Sequence, residues 1–205
     1  MRVNELLIRQ QFFDDLAFDW DSRFLNSKLD AFLENYVPFF GLKQGQRVLD
    51  VGTGTGILIP HLLREVGSKG EVIAVDYSWN MIKACKSKNE SLFNVSFCIS
   101  SIEQIACIDN VFDAVICFGV FPHLENRLKG LFEINRIVKK GGHLIISHAL
   151  SSQELRIHHK KASSIVTEDF LPNSTEMRNI LKKTGFSEIT ILDKPGCYFC
   201  LAHKY

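Results

Sequence analysis

The chain has 205 residues, 46% of them hydrophobic, and its 24 basic and 23 acidic side chains leave a net charge of +1. That length and apolar content suffice for one complete α/β core. The balanced charge argues against the basic footprint of a nucleic-acid binder or of a protein held electrostatically on an anionic membrane.

No window approaches the roughly 20 apolar residues of a membrane span, and no N-terminal segment joins a basic start to an apolar run. Of the six cysteines, several fall in predicted strands, where Cys behaves as a small buried hydrophobe, so a reducing, cytoplasmic setting is expected. In chain order, the first forty residues hold the aromatic cluster Phe12, Phe13, Phe18 and Trp20, then Leu29, Phe32, Leu33 and Tyr36 at helical spacing. Apolar runs at 46–51, 71–76, 95–99, 112–118 and 142–149 predict strands, and segments near 56–66, 79–88 and 124–139 predict helices. That alternation argues for a parallel sheet with right-handed crossovers. A helix over 174–184 ends at Gly185, and 186–193 and 197–204 read as two closing strands around a Pro195-Gly196 turn. Cys197 and Cys200 have the spacing of a metal or redox pair, but strand residues three apart face opposite sides.

The run Val48-Leu49-Asp50-Val51-Gly52-Thr53-Gly54-Thr55-Gly56 carries the chemistry, with Asp76 closing the next apolar run, Val72 to Val75. A strand that enters a glycine-rich turn and then a helix brings backbone close to a ligand, and a carboxylate on the following strand can grip a ribose. Dinucleotide sites use G-x-G-x-x-G, with pyrophosphate on the helix N-terminus. Here the spacing is G-x-G-x-G, and Asp50 would repel a pyrophosphate but suit a cationic ligand, which disfavours a nicotinamide-dependent oxidoreductase.

These residues resemble the class I S-adenosylmethionine-dependent methyltransferases, and the resemblance runs from about Lys28 to Phe186. Asp109-Asn110-Val111-Phe112-Asp113-Ala114-Val115-Ile116 looks like the family's fourth strand, and Arg136 to Ile146 looks like its helix, turn and fifth strand. Phe121 to Glu125 and the segment from Ser147 to His158 look like the ubiquinone and menaquinone methyltransferase-like branch. The resemblance implies a Rossmann-like seven-stranded sheet, mostly parallel with its last strand antiparallel and helices on both faces. It also implies S-adenosylmethionine as cofactor, with S-adenosylhomocysteine as product. Asp50, Gly52, Thr53 and Gly54 would cradle the methionine part, Asp76 would hold the ribose, and Tyr77 and Met81 would flank the adenine. Ser101 and Ile102 fall where many relatives carry an acid for the adenine amino group, and Phe118 sits at the mouth of the fourth strand. Residues 1–40 would form a helical lid over a methyltransferase domain at 41–205.

Ligands of open parallel sheets bind outside the carboxyl ends of the strands, which directs attention to Phe118 to His123 and Ser147 to Leu150. His123 and His148 are the expected acid/base or substrate-orienting residues. His158 and Glu154 complete an outside metal set with them, although ligands spread over three segments without a tight motif favour no metal; His159 is expected on the far side of the helix from His158. The segment after the fourth strand lacks the Asn or Asp followed by Pro-Pro and an aromatic that is typical of enzymes methylating exocyclic amines of bases or glutamine amides, so a small-molecule acceptor is expected. The rival reading is a sensor or assembly protein that binds cofactor without turnover. Oligomeric state is not readable from the sequence.

Overall fold

Each apolar run around the glycine motif becomes a strand. The computed structural model describes residues 2–205, with side chains from residue 7 onward. It divides into two compact units, residues 1–101 and 102–205.

In the first unit, β1 (Arg47–Val51), β2 (Glu71–Asp76) and β3 (Val95–Ile99) pair in parallel, Val48 opposite Val72 and Val72 opposite Val95. The connecting helices are α4 (Ile59–Val66) and α5 (Trp79–Asn89). Ile59, Leu62 and Val66 are buried at i, i+3 and i+7, the stripe that lays a helix on a sheet. Ahead of β1 come α1 (Arg2–Leu16), α2 (Trp20–Phe24) and α3 (Ser27–Tyr36), followed by a 3-10 turn over Val37–Phe40. Asn26 caps α3 by accepting from the Lys28 and Leu29 amides, and Phe32 and Leu33 are its buried residues.

In the second unit, β4 (Phe112–Phe118) and β5 (Val138–His148) are parallel, and β7 (Cys197–Lys204) runs antiparallel to both β5 and β6 (Phe186–Lys194). Its helices are α6 (Arg127–Ile137), α7 (Ser152–Ala162) and α8 (Ser174–Lys183). Ser151 with Glu154 and Asn173 with Glu176 form reciprocal capping boxes at α7 and α8, as the S-x-x-E and N-x-x-E spacings dictate. The strand order of the seven-stranded sheet is β3-β2-β1-β4-β5-β7-β6. Strand pairing therefore gives the expected mostly parallel sheet with an antiparallel last strand.

Three elements start three or more residues away from the sequence pattern. The helix expected from residue 56 starts at Ile59, because Gly52, Gly54 and Gly56 take φ of +65°, +55° and +87° and hold the chain in a loop. The helix expected from 124 starts at Arg127: a 3-10 turn over Phe121–His123 comes first, and Asn126 supplies the cap. β5 begins at Val138 rather than 142 and carries Lys139 to Gly142 within the strand, where its pairing with β4 shifts register between Phe112 and Ala114.

Candidate functional site

Each unit carries one cluster of chemically able side chains. In the first, the loop after β1 is built by its own short-range bonds. The Gly52 and Thr53 amides donate to the Val75 carbonyl at 2.8 and 3.0 Å, tying the glycine turn to β2. The Thr53 hydroxyl donates to Asp50 Oδ2 at 2.7 Å, and the Gly54 amide donates to Asp76 Oδ2 at 3.0 Å. The other Asp76 oxygen accepts the Ser78 amide at 2.9 Å, while the Ser78 hydroxyl caps α5 by accepting from the Met81 amide.

Both carboxyl groups are buried, which pushes Asp50 up to about 7 and Asp76 up to about 6 against the stabilising pull of these hydrogen bonds. Only glycine fits at 56, where a β-carbon would lie 2.6 Å from Asn89 Nδ2 and 2.7 Å from Cys85 Sγ. A β-carbon on Gly54 would meet just the Trp20 indole nitrogen, at 4.0 Å. The backbone at Gly54 is thus open on the side a ligand would approach.

The N-terminal helices tie onto this same loop region. Asp21 accepts from the Thr55 hydroxyl at 2.6 Å and pairs with Lys88. Asp14 accepts from the Ser78 hydroxyl at 2.5 Å and from the Asn80 amide at 3.0 Å. Gln10 donates to the Tyr77 carbonyl at 2.8 Å, and the Phe13 ring stands edge-on to Tyr77 at 6.0 Å. Helices α1 and α2 therefore grip the turns after β1 and β2 through two carboxylates and an aromatic contact.

The second unit gathers histidines near the carboxyl ends of β4 and β5. His123 Nδ1 lies 2.6 Å from Asp169 Oδ2, and His159 Nδ1 lies 2.5 Å from the Asp169 carbonyl oxygen. The two imidazole rings are 4.9 Å apart. His148, the last residue of β5, is buried; burial, helped by the fields of His123 and His159, pushes it down to about 3. It is therefore a neutral imidazole at physiological pH. On the facing strand Tyr198 is its register partner, with the rings 6.4 Å apart. His148 Nε2 and Tyr198 Oη are both buried without a hydrogen-bond partner. Each such orphan costs about 1–3 kcal/mol, which a complementary ligand group would recover.

The expected site residues thus fall into two groups. Asp50, Gly52, Thr53, Gly54, Asp76, Tyr77 and Met81 lie together on the β1 and β2 turns; Asp50 is under the loop, bonded to Thr53, and Asp76 is at its rim. Ser101 is exposed and Ile102 buried at the boundary of the two units, and Phe118 ends β4. His123 lies near enough to His148 for its field to help lower the basicity of that buried imidazole.

The outside metal set does not converge. Glu154 Oε2 is taken up by the Ser151 and Gly196 amides, both at 2.8 Å, and His158 is exposed. Among the described residues no group of three or more His, Cys, Asp or Glu could hold a metal ion. The expectation for α7 is also corrected: His159 is the residue that reaches His123 and Asp169. Its phase was available in the spacing, since Leu155 and His159 are i, i+4 and both are buried. Asp169 had no such signal, lying in a loop 46 positions from its partner.

A methyltransferase domain model matches residues 42–189, and the chain belongs to the class I S-adenosylmethionine-dependent methyltransferases. Within that class it falls in the ubiquinone and menaquinone methyltransferase-like branch. It is 34% identical over 182 residues to the ubiquinone/menaquinone biosynthesis C-methyltransferase UbiE of Photorhabdus laumondii, covering 76% of this chain and 72% of that protein. It is 38% identical over 106 residues to the demethylmenaquinone methyltransferase of Staphylococcus aureus, a match over 51% of this chain that spans only 44% of the relative. Among solved structures, a SAM dependent methyltransferase from Aquifex aeolicus superposes with a TM-score of 0.69 at 29% identity, over 83% of this chain and 88% of that one.

S-adenosylmethionine is the cofactor of that family, and the composition of the first cluster, two buried carboxylates beside the open backbone of Gly54, is compatible with a cationic ligand that carries ribose hydroxyls. Among the described residues no helix is long and apolar enough to cross a membrane.

With Asp50 and Asp76 in the cofactor roles that the resemblance implies, their raised carboxyls would make cofactor binding pH-dependent. A cationic ligand favours the ionised forms, so binding below about pH 7 must release the protons that Asp76 and Asp50 hold through values near 6 and 7. Without ligand the sign is opposite. Carboxyls raised above their unfolded values contribute stability that is present below about pH 4 and lost as pH rises through about 6 and 7. Calorimetric titration in buffers of different ionisation enthalpy should therefore show proton release at pH 6 and affinity rising to a plateau above about pH 8. An affinity flat from pH 5 to 8 would contradict this account.

Proposed function

We propose that the enzyme methylates a small-molecule acceptor, with His123 as the base that takes the acceptor's proton. When bound, the cofactor supplies an electrophilic methyl group on a sulfonium. Transfer is an in-line displacement, so the protein's task is to position the nucleophile and exclude water, worth about 7–11 kcal/mol when alignment is good. Asp50, Asp76 and the Gly52–Gly54 backbone hold the cofactor; Ser101, Ile102, Tyr77, Met81 and Phe118 are assigned to its adenine and rim.

The observation that carries the base assignment is the 2.6 Å contact from His123 Nδ1, in the turn after β4, to the buried carboxylate of Asp169. A carboxylate can only accept, so Nδ1 carries the hydrogen and Nε2 is left as the basic atom. His148, neutral through the physiological range, is assigned to orienting the acceptor by a hydrogen bond, with the Tyr198 hydroxyl beside it.

The names of the relatives suggest the first acceptor to try, demethylmenaquinone in its reduced form. The test is product formation with isotope-labelled S-adenosylmethionine. Labelled methylated quinone supports the reading. Label appearing in RNA or protein rather than in any small hydroxylated ring would sink it.

The helices ahead of β1 act in this reading as a lid latched by Asp14 and Asp21, and residues 1–40 are its extent. Replacing both by Asn weakens charged hydrogen bonds to Thr55, Ser78 and Asn80 that are worth about 1.5–3 kcal/mol each. Cofactor release should then quicken by about tenfold or more, read by stopped-flow fluorescence of Trp20, whose indole stands over Gly54. Unchanged release in the double variant would show the contacts to be simple packing.

A further inference from the structure

A second acid and an arginine surround His123 that neither the glycine motif nor the branch resemblance assigns. Asp169 is buried in the loop between α7 and α8 and bonds His123 Nδ1 with its carboxylate. Its own backbone is fixed twice: the Asp169 carbonyl accepts from His159 Nδ1, and the Asp169 amide donates to the Val166 carbonyl at 3.0 Å.

Arg127, on the first turn of α6, then joins the two segments. One guanidinium nitrogen donates to the Phe170 carbonyl at 2.6 Å and reaches the Pro122 carbonyl at 3.4 Å, and the guanidinium lies 5.4 Å from the Phe170 ring centre. Pro122 precedes His123 and Phe170 follows Asp169. One cation thus holds both neighbours of the His–Asp contact, and the Asp169 field in turn supports the Arg127 charge against its burial.

We propose that Asp169 is a positioning residue that locks His123 in the Nδ1–H tautomer, and that Arg127 is the clamp that keeps the Asp169 loop against the turn carrying His123. The proposal rests on His123 being the base. A base must present a lone pair at a defined atom, and neutral imidazole divides its proton between two nitrogens unless a partner decides. Asp169 decides it, because a carboxylate cannot donate. An arginine suits the clamp better than a lysine, since its planar fork can serve two carbonyls while stacking on an aromatic ring.

The deciding experiment is nitrogen NMR of the full chain, with the His123 signals assigned by their loss in His123→Gln and read at a pH where the ring is neutral. In the wild type the Nδ1–H form should dominate. Asp169→Asn offers an amide NH2 in place of a carboxylate oxygen, so the Nε2–H form should rise to a large share, while Asp169→Glu should retain the Nδ1–H form. Arg127→Gln should give a mixture, and Arg127→Lys should lie between it and the wild type. A wild-type tautomer that is Nε2–H, or one unmoved by Asp169→Asn, overturns the proposal.

Turnover on reduced demethylmenaquinone separates this from the base reading. With Asp169→Asn, kcat should fall up to about 10,000-fold, as in a wrong-tautomer variant of a histidine base, with KM and cofactor affinity close to wild type. If His123→Gln is inactive while Asp169→Asn is fully active, the positioning role is lost and the base survives. If His123→Gln is fully active, the base reading falls and takes the proposal with it.

Discussion

Asp76→Ala is expected to abolish measurable cofactor binding at micromolar concentration. A buried carboxylate that accepts two ribose hydroxyls contributes charge-assisted hydrogen bonds of about 1.5–3 kcal/mol each, so losing both weakens binding by at least about 100-fold. The loss has a second component here, because Asp76 also holds the Gly54 and Ser78 amides and so shapes the turn that must meet the ligand. Asp76→Asn separates the two. It keeps an oxygen that can accept one of those amides but lacks the charge, so its fold should match the wild type while its affinity falls by about tenfold or more. Burial disfavours the Asp76 charge and raises the carboxyl to about 6, so removing that charge should cost the free fold little. Thermal melting should therefore show Asp76→Asn to be folded, and calorimetry with S-adenosylmethionine and S-adenosylhomocysteine then reads the binding term alone. Wild-type affinity in Asp76→Ala would remove the ribose role and leave the carboxylate a purely structural brace.

What the sequence revealed and what it hid have separate physical origins. The β1 loop was legible because each of its features is local: three glycines at alternate positions, Asp50 within reach of Thr53 three residues on, and Asp76 at the end of the adjacent strand. The capping boxes at Ser151 and Asn173, found in the structure, are local in the same way, each needing only a glutamate three residues later. The helix starts at Ile59 and Arg127 and the early start of β5 were less legible, since boundaries depend on φ angles and pairing register more than on apolar period. The partners of His123 were the least visible. Asp169 sits in a polar loop with no periodicity, and the sheet, α6 and α7 must all be in place before it meets a histidine 46 residues away. His159 lay between these extremes. Leu155 sets the buried face of α7 and so predicts the direction of His159 one turn later, but a helix with a weak apolar stripe gives little reason to trust a single leucine over the neighbouring His158.

The other large effect expected is on turnover. His123→Gln should lower kcat by about 100- to 10,000-fold, the range in which a positioned general base contributes, while leaving the dissociation constant for S-adenosylmethionine within about twofold of wild type. The asymmetry follows from placement: the residues assigned to the methionine part and the ribose belong to the β1 and β2 turns of the first unit, and His123 belongs to the 3-10 turn after β4 in the second. His148→Asn gives the contrast. A buried imidazole pushed down to about 3 does not exchange protons at neutral pH, so its replacement should raise KM more than it lowers kcat. Gln at 123 is chosen because it retains a group able to bond Asp169, which keeps the buried carboxylate partnered and the loop in place. Turnover is read as S-adenosylhomocysteine formed with reduced demethylmenaquinone as acceptor. Equal losses of kcat in the two variants would make the histidines one catalytic unit. A His148 variant inactive beside an active His123 variant would invert the assignment and make the residue at the end of β5 the base.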